Sequence, residues 1–156
     1  MSEEHWIWRS DHVISSDTGA GRRVLEEVLD QLKAQHWVPR DIFAVHLAMH
    51  EALVNAIVHG NKLAPDKHVH VSCRIAPCLV RIEIADEGNG FDPTNVPDPT
   101  DPDRLESPTG RGVMLIKAFM SRVEFNEQGN QVALEKRRAG ETVSHGRRAP
   151  SCPASP

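Results

Sequence analysis

His46–Asn61 reads HLAMHEALVNAIVHGN. At about 100° per residue along a helix, Glu51, Asn55 and His59 fall within one narrow arc, which Ala44 and Ala48 share. Ile42, Val45, Met49, Ala52, Leu53, Ala56 and Ile57 fill the opposite arc, and Leu47, Val54 and Val58 make the remaining flank apolar. The spacing predicts one long helix, apolar on most sides and therefore buried. A buried carboxylate and amide need partners, and small side chains beside them leave room for a ligand. The stretch reads as the wall of a binding site. Taken alone, its E-x-x-x-N spacing also suits an ordinary half-exposed helix, so the flanking chain decides.

Working outward toward the N-terminus, Trp37-Val38-Pro39 separates this helix from an earlier one, with Pro39 at a helix-opening position. The earlier helix is expected from the cap residues Ser16-Asp17-Thr18 to about His36, with Val24, Leu25, Val28, Leu29 and Leu32 on one face. His5–Ser15, rich in aromatic and β-branched residues, reads as an opening strand. Toward the C-terminus, His59-Gly60-Asn61 ends the long helix. Lys67–Ile75 and Leu79–Ala85 alternate as strands around Pro77. A Gly110-Arg111-Gly112 turn then precedes a helix over about Val113–Met120. Val123–Asn126 and Val132–Lys136 form a hairpin around Gly129-Asn130. Consecutive strands pair antiparallel and the helices cover one face. The expected fold is α+β, a two-layer sandwich of a mixed, mainly antiparallel sheet with helices on one face.

Two further motifs carry chemistry. Asp86-Glu87-Gly88-Asn89-Gly90 follows an apolar strand directly. Gly88 and Gly90 permit close backbone approach, and the Asp86 carboxylate, an acceptor only, suits an exocyclic amine such as that of adenine. A hairpin turn capped by aspartate has the same pattern, but the eighteen residues from Phe91 to Pro108 do not fold back at once. Thr109-Gly110-Arg111-Gly112 opens a helix whose free N–H groups favour an anion, phosphate above all. Arg111 adds a charge-assisted hydrogen bond worth about 1.5–3 kcal/mol.

Composition narrows the classes. The 156 residues suggest one domain, and a net charge of −4 does not suit a nucleic-acid binder. The start MSEEHWIWRS lacks the features of a signal peptide, and no later run is read as long enough to span a bilayer, so a cytoplasmic protein is expected. Three cysteines, Cys73, Cys78 and Cys152, argue against a disulfide framework. His46 and His50 are spaced for zinc, but no third ligand is evident. His59 shares the Glu51 arc or simply ends the helix. Trp6 and Trp8 suit a sheet edge, a dimer contact or the core. Lys136, Arg137, Arg138, Arg147 and Arg148 read as a basic tail.

HEALVNAIVHGN, DEGNGFDP and TGRGVMLI, in this order, resemble the N, G1 and G2 boxes of the GHKL nucleotide-binding superfamily with its Bergerat fold. The E-A-x-x-N-A-x-x-H-G form is similar to the anti-sigma-factor serine kinases of bacterial stress and sporulation pathways. The resemblance covers about residues 5–137. It implies that Asn55 ligates Mg²⁺ on the phosphates of ATP and that Glu51 is the general base for a substrate serine. It implies further that Asp86 binds the adenine amine, with Gly88 and Gly90 shaping the base pocket, and that Thr109, Gly110, Arg111 and Gly112 hold phosphates. Residues 91–108 become an ATP lid within an ATP-binding domain spanning 1–138, ahead of a disordered tail over 139–156. The implied partners are a sigma factor, an anti-anti-sigma factor carrying the acceptor serine, and a second copy in a homodimer.

Two departures stand out: Gly129-Asn130-Gln131 replaces the Gly-Thr of many relatives, and the lid carries Asp92, Asp98, Asp101 and Asp103. Two other readings share the motifs. One is a nucleotide-binding module without phosphotransfer; the other is a detached histidine-kinase catalytic domain.

Overall fold

The computed structural model describes residues 5–88 and 108–139, of which 108–112 are described by their backbone alone. Apart from Pro108 and Ala139, the expected lid and tail lie outside the described residues, as does Gly90. The elements in chain order are β1 (Trp8–Ser15), α1 (Thr18–Ala34) and α2 (Pro39–Val54), which runs into a π-helical turn (Asn55–Gly60). Then come β2 (His68–Ala76), β3 (Leu79–Ala85), α3 (Pro108–Phe119), β4 (Arg122–Phe125) and β5 (Gln131–Arg137).

Local chemistry explains the ends. Asp17 caps α1 by accepting the Ala20 N–H at 3.1 Å, and Pro39 opens α2 at its first turn. His36, just past α1, takes the left-handed conformation at φ 62°. The long helix differs from its expected form. At Asn55 it widens to i→i−5 bonding, seen in the Asn61 N–H to Ala56 carbonyl bond of 2.8 Å, a distortion frequent at functional sites. The helix α3 also begins earlier than expected, so Gly110-Arg111-Gly112 lies inside its first turns rather than in a turn ahead of it.

The sheet has the order β1-β2-β3-β5-β4. Every pairing among the described residues is antiparallel, so the mixed sheet expected is antiparallel in fact. Alternation sends Val69, Val71, Cys73 and Ile75 of β2 and Val80, Ile82 and Ile84 of β3 to the inner face, all buried. The three α-helices among the described residues cover that face, with Val28, Leu32, Val45 and Met49 fully buried against it. Each such side chain contributes about 1.5–3 kcal/mol. On the outer face, Arg81 donates to Glu83 and Glu135, both at 2.9 Å.

α2 and its π turn span 22 residues with a mean hydropathy of 1.4 over the most apolar window. By length and composition this run could cross a membrane, against the sequence expectation, but here it is the central core helix of the sandwich. Burial pushes the free Cys73 thiol up to about 12, whereas Cys78 is disulfide-bonded, which the odd cysteine count did not suggest.

Arg138 also departs from expectation. It is 7% exposed, stacks on Trp37 at 5.4 Å, and donates to the carbonyls of Gln35 and His36, both at 2.9 Å, and Pro77 at 3.1 Å. Burial lowers the pKa of its guanidinium, and nearby Asp41 offsets only part of that fall. It belongs to the core, not to a basic tail.

Candidate functional site: a cleft between the helical layer and the sheet end

A cleft of about 170 Å³ opens where the π turn meets the end of β3 and the β4–β5 hairpin. Ala52, Asn55, Ala56 and His59 line it from the central helix, and Ile116 from α3. Ile84 and Asp86 come from β3 and the residue after it; Phe125 and the segment Gly129–Val132 form the opposite wall. Apolar walls with a few polar groups suit a flat aromatic ligand.

Register explains why these residues meet. Ala85 pairs with Gln131, so Asp86 and Asn130 continue the two strands side by side, and the Asp86 N–H donates to the Asn130 carbonyl at 2.9 Å. The β5 strand reaches this position because it inserts between β3 and β4. Gly129, at φ 73°, permits the hairpin turn, and Asn126 Oδ1 accepts the N–H groups of Asn130 and Gln131 at 3.0 and 3.1 Å.

The Asp86 carboxylate is half-buried. Its Oδ1 accepts the Gly88 N–H at 2.8 Å, leaving Oδ2 without a hydrogen bond among the described residues. Burial raises its pKa; the Gly88 amide and Lys67 pull it back down. Gly60 lies directly against it, and a Cβ on Gly60 would overlap the carboxyl group. A Cβ on Gly88 would in turn overlap the Gly60 carbonyl. The two glycines let the π turn and the Asp86 turn touch backbone to backbone.

Behind this contact sits Asn61, 1% exposed. Its amide donates to Ser16 Oγ and to the His68 carbonyl, each at 3.0 Å, and its Oδ1 accepts the Glu87 N–H at 2.8 Å. Ser16 Oγ donates onward to the Lys67 carbonyl at 2.7 Å. Lys62 and Leu63 follow in the left-handed conformation at φ 54° and 59°. Two adjacent residues other than glycine there cost roughly 1–3 kcal/mol each, and such strain clusters at functional sites.

The sequence-predicted residues divide. Asn55 and Asp86 line the same cleft, and His59 joins them. Gly88 supports Asp86 from behind. Glu51 is half-buried one helical turn before Asn55 but is not among the lining residues. Thr109, Gly110, Arg111 and Gly112 form the first turns of α3, the helix that brings Ile116 to the cleft; their side chains lie outside the description. Gly60, Asn61 and Asn130 were missed as site residues. Asn130, one of the departures from the resemblance noted in the sequence, has its Oδ1 accepting from Asn126 at 2.7 Å and its Nδ2 donating to the Gly88 carbonyl at 3.4 Å. His46 and His50 are exposed, and among the described residues no three potential ligands gather around a metal position.

The chain was compared with known proteins. Residues 14–136 match the family described as histidine kinase-like ATPase domain. The anti-sigma F factor of Oceanobacillus iheyensis is 30% identical over 102 residues, covering 62% of this chain and 69% of that protein. The serine-protein kinase RsbW of the same organism is 28% identical over 132 residues, covering 80% and 82%. The crystal structure of the RsbU and RsbW domains of Rv1364c from Mycobacterium tuberculosis aligns with a TM-score of 0.55 at 16% identity. That alignment covers 84% of this chain and 32% of the longer one, and speaks for the fold alone.

Proposed function

Since the chain belongs to the histidine kinase-like ATPase domain family, we propose that its cleft binds ATP and that the protein is a serine kinase doubling as an anti-sigma factor. The observation that carries this reading is the Asp86 carboxylate, half-buried at the end of an apolar cleft with one oxygen held by the Gly88 amide. An acceptor so placed selects a ligand with an amine donor on a flat apolar ring, which describes adenine. The curated relatives named anti-sigma F factor and serine-protein kinase RsbW support the activity and the partners.

In this reading Asp86 orients the base and Asn130 closes the far side of its pocket. Asn55, on the same cleft wall, offers one carboxamide oxygen, a donor set that fits Mg²⁺, which keeps few protein ligands beside phosphates and waters. Bound there, the cation would neutralise charge on the phosphates. Glu51 sits one turn away and would take the hydroxyl proton of the acceptor serine. The serine oxygen forms its bond to the γ-phosphorus as the bond from that phosphorus to the ADP oxygen breaks. A base so placed contributes on the order of 10²–10⁴ in rate. The first turns of α3, Thr109 to Gly112, would hold phosphates through their N–H groups. The proposed setting is cytoplasmic and dimeric, with a sigma factor held in the ATP state and released when an unphosphorylated anti-anti-sigma protein competes.

Phosphoserine on a cognate anti-anti-sigma protein, formed with Mg-ATP and lost in Glu51→Ala while ATP binding survives, is the expected outcome. A second reading, nucleotide binding without transfer, draws on the position of Glu51 outside the cleft lining. Absence of transfer from the wild-type protein together with intact ATP binding would favour it.

A further inference from the structure

The turn that carries Asp86 is anchored from two sides. On the sheet side, the Asp86 N–H is held by the Asn130 carbonyl at 2.9 Å. On the helical side, the anchor is a single side chain, Asn61, whose Oδ1 accepts the Glu87 N–H at 2.8 Å. Both donors of the same amide are committed, one to Ser16 Oγ and one to the His68 carbonyl, each at 3.0 Å. A buried carboxamide with all three bonds satisfied cannot rotate without losing several at once. It therefore fixes the distance between the start of α1, the start of β2 and the residue next to Asp86.

We propose that Asn61 is a positioning residue for base recognition, aiming the Asp86 carboxylate at the purine amine through the Glu87 amide. This rests on the nucleotide reading above and deepens it. The backbone contact of Gly60 with Gly88 brings the two turns together but supplies no direction. Asn61 supplies it, because its hydrogen bonds are directional. Without it, Glu87 N–H loses its partner, and beyond the hairpin the turn keeps only the exposed bond from the His68 N–H to the Glu87 carboxylate. The β1–α1 junction thus becomes part of the base site through Ser16, which bridges Asn61 to the Lys67 carbonyl at 2.7 Å.

The test compares ATP with purine riboside 5′-triphosphate, which lacks the 6-amino group, by titration calorimetry on the full chain. Wild-type protein prefers ATP by about 10- to 100-fold, the range for one hydrogen bond to a carboxylate. Asn61→Ala reduces that preference to within about threefold while its affinity for the analogue stays near wild type, and in an Asp86→Ala background it changes the ratio no further. A merely structural role would weaken both nucleotides together, and that result overturns the proposal. So does an Asn61→Ala protein with the wild-type ratio.

Should Asn61→Ala fail to fold, Ser16→Ala is the second variant. It removes only the hydroxyl end of the network and lowers the same ratio by about three- to tenfold. An unchanged ratio there overturns the proposal equally. If the wild-type protein binds neither nucleotide, the nucleotide reading itself falls; if it binds ATP and the variants keep its preference, only the role of Asn61 falls.

Discussion

The α-carbon of Gly60 rests against the carboxylate of Asp86, so closely that a β-carbon at position 60 would overlap the whole carboxyl group. Gly60 does not need glycine for its torsion angles, since Gly129 is the glycine with positive φ among the described residues. Gly60→Ala should therefore fold, at a cost of about 1–3 kcal/mol for overpacking, while displacing Asp86. We expect ATP affinity to fall about tenfold or more, read by calorimetry beside a urea melt. Gly88→Ala should be worse, because its β-carbon meets the Gly60 carbonyl, which is backbone and cannot swing aside.

Ionised Asp86 costs the fold stability. Its folded-state pKa is raised, chiefly by burial, so the folded protein holds that proton more tightly than the unfolded chain does. The ionised carboxylate consequently costs stability above the folded pKa, and the cost disappears as pH falls below the unfolded value of about 3.8. Asp86→Asn keeps an oxygen for the Gly88 N–H and should melt higher than wild type at pH 7. The difference should vanish near pH 3, and at pH 7 ATP affinity should fall by about 10- to 100-fold, the loss of one hydrogen bond to a carboxylate. A variant less stable than wild type at pH 7 would contradict the burial argument.

Asn55 supplies the cleft's amide on the helical wall. Asn55→Ala should bind ATP with the same affinity whether magnesium or a chelator is present, whereas wild type binds more tightly with magnesium. Equal magnesium dependence in the two proteins would move the metal ligand elsewhere.

Arg138 joins the C-terminal end of the sheet to the α1–α2 corner through three carbonyls and the Trp37 ring. Asp41, 3% exposed, lies near it and accepts the Ala139 N–H at 2.8 Å. Arg138→Ala leaves buried carbonyls unpaired and Asp41 without its neighbouring cation, a loss of about 2–4 kcal/mol. In a chain of this size that lowers Tm by roughly 5–15 °C in a calorimetric scan. Arg138→Lys should recover only part, since an ammonium cannot serve three spread carbonyls and a ring face.

Alternation in β2 and β3 and the i, i+3, i+4 pattern of α1 made the layers readable before any coordinates, because each periodicity reports directly on which face is buried. Asn55 and Asp86 were readable as well, being polar residues in apolar runs. The π turn was not, since nothing in the side chains of Asn55–Gly60 marks a change from i−4 to i−5 bonding. Gly60 and Asn61 looked like helix-ending residues because their partners, Asp86, Ser16 and Glu87, lie 26 to 45 positions away along the chain. Arg138 was grouped with the tail because charge was counted there and long-range carbonyl acceptors leave no local trace. Glu51 was placed on the ligand arc by a helical wheel; it lies one turn before Asn55, beside the lining residue Ala52, and does not itself line the cleft formed by the described residues.

Lys62 and Leu63, consecutive in a conformation that glycine adopts freely, give the protein a corner that a single substitution would relax. Glycine at either position would release the tension, raise the melting point, and loosen the bend immediately after Asn61. Two bulky side chains there trade robustness for a hinge that cannot wander, which is what the proposed meeting of one carboxylate with one amine would require.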